Sequence, residues 1–197
     1  MAGNTGNSMR KRSDGALVSR IDEFQVSVTS VELLFILVRA SIWLAVLAWA
    51  VVMGGWLKGS SWRSTWLIWT AGLLAYLVHV ATAFAGFYHW SHAIAFSETL
   101  RQTAELTGID SGAGIWLNYL IGILWIIDVI RWRLSGKAWI VGRWHWLSAS
   151  FHVFLAFMIF NGTVVFGNGP VRWFGVVIFL ALATVWLRAR LLPHPES

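Results

Sequence analysis

The chain of 197 residues contains no cysteine. That excludes disulfides, thiolate metal sites, iron–sulfur clusters, covalent c-type haem and a cysteine nucleophile. Charge is scarce as well, at 12% of residues, where soluble domains carry about 25%. Apolar residues make up 57%. A water-soluble chain of this composition would expose apolar surface and aggregate. The consistent reading is an integral membrane protein whose outer surface is solvated by the lipid bilayer. No secretory signal is visible in the polar first thirty residues, so the first hydrophobic run is expected to stay in the mature chain. The sequence holds no G-x-S-x-G, Walker lysine, H-E-x-x-H or G-x-G-x-x-G. Its six histidines are too scattered for the histidine boxes of membrane di-iron hydroxylases. No paired repeat suggests a transporter, and the helices are too poor in polar residues for the lining of an ion channel. Whether the protein is an enzyme is left open.

What is present is a series of long apolar runs. None alternates with period two, so helices rather than barrel strands are expected. Spans are expected over 31–57, 65–88, 112–130, 146–166 and 171–187, giving an all-α bundle of five transmembrane helices, or four if the last lies at the interface. Residues 1–28 read as a basic, disordered tail, 29–190 as the transmembrane domain and 191–197 as a C-terminal tail. Thr29 and Glu32 in "TSVE" match a capping box and predict a helix start there. A helix from Thr29 to Trp56 or Leu57 is about 42 Å long, enough to cross a ~30 Å core with tilt. The polar stretch 97–111 predicts a helical extension outside the core, with Asp110 or Ser111 capping the third span. In "GNGP", Asn168 and Gly169 make a turn and Pro170 suits the first turn of a helix.

Net charge is +6. In a membrane protein this reflects topology and anionic headgroups rather than nucleic acid. Lys58, Arg63, Arg131, Arg133, Lys137, Arg143, Arg188 and Arg190 would share one face, which the positive-inside rule makes cytoplasmic. Arg10, Lys11, Arg12 and Arg20 at the N-terminus argue the other way. Tryptophan is abundant, at 15. Trp62, Trp66, Trp132, Trp139, Trp144 and Trp146 fall at one end of the spans, and Trp90, Trp116 and Trp173 at the other. This pattern predicts aromatic belts at both interfaces; the alternative is a tryptophan-lined internal cavity.

Ionisable groups in hydrocarbon are costly and each needs a reason. One group lies near one face: Glu32, Arg39, His89, His92, Glu98 and Asn118. His89 and His92 are spaced i, i+3 and predict one helical face. Asp128, His145 and His152 lie at the opposite end, with Asp128 placed to orient a histidine. His79 stands near the middle of the second span. Each has a plainer alternative: Glu32 as a reciprocal cap, Arg39 snorkelling to headgroups, His89 and His92 facing water, Asp128 paired with Arg131 at i+3, and His79 and His152 each in one interhelical hydrogen bond.

Two imidazoles from different helices are what haem b requires, which makes His79 and His152 the candidate ligands. The expected depth difference between them, about 10 Å by helix rise, argues against a simple pair. A zinc, copper or iron held by His89, His92 and Glu98 is the metal variant. In type, a small chain with four or five spans and intramembrane histidines, it resembles cytochrome b-type membrane anchors, which implies haem-based electron transfer. No motif in "FYHWSHAIAFSETLRQTAELTG" or "GIWLNYLIGILWIIDVIRW" matches such a family, so no residue role follows from the likeness. Two functions from different classes stand side by side: a haem- or metal-binding subunit in electron transfer, and a cofactor-free membrane scaffold or accessory subunit. The partners would be the bilayer and either other membrane subunits or further copies of the chain.

Overall fold

A computed structural model describes residues 5–57, 62–135 and 145–191. The tail residues 1–4 and 192–197, and Lys58, Lys137, Trp139, Arg143 and Trp144 of the loops, lie outside the described residues.

The first helix, α1, runs unbroken over Thr5–Leu57. It starts well before the capping box, and residues 5–28 are helical where a disordered tail is expected. At Thr29 the hydroxyl donates to the Gln25 carbonyl at 2.8 Å. This is the i−4 bond of a mid-helix threonine, so the hydroxyl is not capping a first turn. No proline interrupts the run before it. Then follow α2 (Trp62–Gly86), α3 (His92–Thr107), α4 (Gly114–Ser135), α5 (His145–Phe160) and α6 (Pro170–Leu191). No strand occurs among the described residues.

Five stretches are long and apolar enough to cross a membrane: Thr29–Leu57, Thr65–Gly86, Gly114–Ser135, Trp146–Val165 and Pro170–Leu191. They match the expected spans to within a turn or so. Large apolar side chains point outward on all five, including Leu44, Leu74, Ile123, Val153 and Leu180. A surface of this kind suits hydrocarbon as solvent.

The α2–α3 connection departs from expectation. His89 and Trp90 both have positive φ, 46° and 58°, a left-handed conformation costing roughly 1–2 kcal/mol per non-glycine residue. The Trp90 N–H bonds back to the Phe84 carbonyl at 2.9 Å, which closes α2. Ser91 then caps α3 by accepting from the Ile94 N–H. His89 therefore sits in a turn and His92 opens a new helix, so the two do not form an i, i+3 pair on one helical face.

Tryptophan divides between surface and core. Trp90, Trp116 and Trp173 are 70%, 58% and 70% exposed, as a belt requires. At the other end Trp146 is exposed, but Trp132 is buried with Trp49, Trp69 and Trp125. Trp69 stacks on Trp125 at 4.4 Å between centroids, and Tyr76 stacks on Trp125 at 5.8 Å. Burial of these rings, with Val52, Leu73 and Phe151 around them, forms the main apolar core. Trp132 is thus a correction to the belt reading.

The fourth span does not stay α-helical. Over Asn161–Val165 it widens into a π-helical turn, with the Phe166 N–H donating to the Asn161 carbonyl at 2.8 Å. The α6 helix packs against this turn and against α1. Its approach depends on Gly175: a Cβ there would lie 2.2 Å from Thr163 Oγ1. Gly175→Val should therefore lower the melting temperature in detergent, with a loss of about 1–3 kcal/mol from overpacking. Gly54→Ala, where nothing lies within 4 Å of an added Cβ, should leave stability unchanged or raise it by up to about 1 kcal/mol. Equal melting of both variants would refute this close packing.

Candidate functional site

Between the helices lies a cavity of about 420 Å³, within the usual range for small-molecule sites. Its walls come from α1, α2, α4, α5 with its π turn, and α6, and Thr99 adds a contact from α3. Ile42, Val46, Ile121, Leu155 and Ile159 make it apolar. Polar groups collect towards the α3 end, where Arg39, His79, Tyr88, Asn118 and Tyr119 line it. The π turn contributes Gly162 and Thr163; extra backbone in a helix often marks a functional site.

His79 is held by α1. Its Nδ1 lies 2.9 Å from the Val38 carbonyl oxygen. A carbonyl only accepts, so Nδ1 carries the proton, and in the neutral ring Nε2 keeps its lone pair. Nearby, the Tyr76 hydroxyl donates to the Asn118 carbonyl at 2.6 Å. Tyr88 lies just beyond the end of α2. Burial, then the Glu98 carboxylate and Tyr119, push its phenol pKa up, so Tyr88 stays a neutral O–H donor.

His152 belongs to a different place. It is 1% exposed and lies among the rings of Trp56 and Trp69, at centroid distances of 4.7 and 4.8 Å. Among the described residues neither ring nitrogen has a hydrogen-bond partner. His79 touches α1 at Val38 and His152 touches it at Trp56. Helix rise puts those two points about 27 Å apart along α1. The structure therefore does not bring His79 and His152 to a shared iron.

Asp128, 3% exposed, accepts from Trp69 Nε1 at 2.9 Å and from Ser148 Oγ at 3.3 Å. Trp69 lies against both Asp128 and His152, so an indole stands where a direct Asp–His contact is the expectation. His145 is the first residue of α5.

The surface set is dispersed too. His89 is exposed in its turn, and His92 Nδ1 meets the Tyr119 hydroxyl at 2.9 Å. Glu98 is taken up by Arg101, at 2.6 Å, and by Gln102. Among the described residues no three histidine, aspartate or glutamate side chains are grouped to hold a metal. Glu32 is exposed, one helical face above Arg39. Tyr76, Tyr88, Gly162 and Thr163 are site residues that the sequence reading passes over. "NGT" at Asn161–Thr163, a polar triplet inside an apolar run, is the signal that marks the last two.

No protein-family model, no curated protein and no solved structure matches the chain.

Asp128→Ala should destabilise the bundle by about 2 kcal/mol, because it leaves the Trp69 indole N–H and the Ser148 hydroxyl without their acceptor. Trp69→Phe should cost less in the Asp128→Ala background than alone. Additive effects in unfolding titrations would refute the coupling.

A second expectation concerns pH. Hydrogen bonds from Arg101 and Gln102 hold the Glu98 carboxyl at about 2, below its ordinary 4.5. A depressed carboxylate stabilises above 4.5, and that contribution fades as pH falls towards 2. Both partners are largely exposed, so the effect is small and screened by salt. Protection factors of the α3 amides, with intrinsic exchange divided out, should fall across that window at low salt and do so less at high salt. Glu98→Gln should abolish the pH dependence; persistence of it in that variant would assign it elsewhere.

Proposed function

We propose that the chain is a multi-pass integral membrane protein that holds an amphipathic small molecule in the cavity between its helices. The observation that carries this reading is the cavity's division into a long apolar wall and a polar end formed by Arg39, His79, Tyr88 and Asn118. Convergent polar groups at one end of an apolar space are the mark of a ligand site. A binding task suits the chemistry better than catalysis, because no carboxylate stands beside His79 among the lining residues. An accessory or carrier role in the bilayer follows.

One observation favours a second reading, a haem or metal with His79 as one ligand. A histidine whose Nδ1–H is fixed by a carbonyl presents Nε2 in the way metal-bound histidines do. Met158, a weaker ligand, lines the same space.

The test uses Gly162. It lines the cavity, and nothing lies within 4 Å of a Cβ added there. Gly162→Phe should plug the cavity while leaving the bundle folded, with an unchanged or higher melting temperature. Protein purified in an uncharged detergent should yield a co-purifying amphiphile on organic extraction and mass spectrometry. The plugged variant should lose at least nine-tenths of it. Equal recovery from both proteins would refute the proposal. A reduced-minus-oxidised Soret band that disappears in His79→Ala would establish the second reading in its place.

A further inference from the structure

We infer that the occupant of this cavity carries an anionic headgroup, bound by Arg39, on an acyl chain lying along the apolar wall; this rests on the cavity-binding reading above. Among the described residues, Arg39 is the one lining residue with a fixed charge. Among the described residues no carboxylate pairs with it.

The nearest acidic candidates are engaged or distant. Glu98 and Glu105 are bound by Arg101. Glu32 lies seven residues back on the same helix, about 10 Å by helix rise. The other nearby arginine, Arg172 on α6, donates to the Gly167 carbonyl.

Depth sharpens the point. The His79–Val38 bond sets the level of this part of α1 against α2, and Arg39 is the next residue. His79 is seven residues from Gly86, the end of α2, so Arg39 departs from α1 about 10 Å below that end. An uncompensated guanidinium at such a level in a membrane costs several kcal/mol. An anion with two oxygens offsets that cost, because the planar fork matches carboxylate and phosphate geometry. The neutral phenol O–H of Tyr88 lines the same end and can donate to the same anion.

The apolar part fits a chain rather than a compact ring system. Lining residues on α2 run from Tyr76 to Phe84, about 12 Å along the helix, which takes a fatty acyl segment of medium length. Ile42, Val46, Leu155 and Ile159 flank that run. The shared chemistry is therefore an anionic oxygen group on an acyl chain. It has two possible sources, a free fatty acid or the phosphate of a bilayer lipid.

Equilibrium binding of tritiated palmitate, palmitoyl-lysophosphatidic acid and hexadecanol to the full chain, in an uncharged detergent, decides the matter. Either or both anions should bind at least tenfold more tightly than the alcohol. Palmitate alone identifies the carboxylate source, and the lysophosphatidic acid alone the phosphate source. Arg39→Gln should erase the preference, Arg39→Lys should restore part of it, and Gly162→Phe should abolish all binding. Should Arg39→Gln fail to fold, the three ligands on the unaltered chain still decide. If the alcohol binds as well as the anions and Gly162→Phe blocks all three, the anionic headgroup is overturned and the cavity reading stands. If Gly162→Phe blocks none of them, the cavity reading falls and the headgroup assignment with it.

Discussion

The indole N–H of Trp69, donated to Asp128 at 2.9 Å, is the contact on which the arrangement depends. Asp128 is an ionisable group almost wholly enclosed by protein, and such a group is tolerable only with its oxygens occupied. Trp69 on α2 occupies one and Ser148 on α5 the other. Three helices are thereby tied at one level. The Trp69 ring then does a second job, stacking on Trp125 of α4 on one side and lying against His152 of α5 on another. A polar bond fixes the ring's position, and dispersion and burial supply most of the gain.

This tie divides the bundle into a dense end and an open one. Trp56, Trp69 and Phe151 fill the space around His152 with large rings. Trp125 belongs to both regions: one face meets Trp69, and the ring also lines the cavity. Towards α3 the rings of Phe84, Tyr119 and Phe174 are interspersed with Val38, Val80, Ala83 and Gly162, and the fourth span relaxes into its π turn. Small side chains and a widened helix leave room that the dense end does not have. Gly175 keeps the loosened segment packed by letting α6 lie directly on Thr163, so the opening does not spread through the bundle.

Much of this was legible in the residues. The five apolar runs were readable because lipid-facing helices are apolar all round, a signal that survives without any partner information. Pro170 and Gly169 marked their turn, and the structure starts α6 at Pro170 with Gly169 at φ 53°. The histidines were less readable. "HWSH" satisfies helical spacing, but spacing presumes a continuous helix, and α2 ends at Gly86 before His89 and Trp90 turn the chain at positive φ. The capping box failed for the opposite reason: its residues are right, yet the helix is already under way and Thr29 bonds to Gln25. The roles of the tryptophans follow from tertiary packing. Trp132 and Trp146 look alike as interfacial residues, and only the neighbouring helix turns one of them inward. Which histidines share a helix level is likewise a matter of register between helices, and no local pattern specifies it.

The two unusual imidazoles show how the same residue type serves different ends of one bundle. His152 keeps both nitrogens unpaired among aromatic rings, at a cost of about 1–3 kcal/mol for each buried group. The surrounding rings can offset that through packing, so His152 is accounted for as a filler of the dense end. His79 spends one nitrogen on the Val38 carbonyl and turns the other side of its ring to open volume. Arg39, one residue along α1, shares that level and has no acidic partner among the described residues. Polar groups are thus closed off at the dense end and gathered around the cavity at the open one.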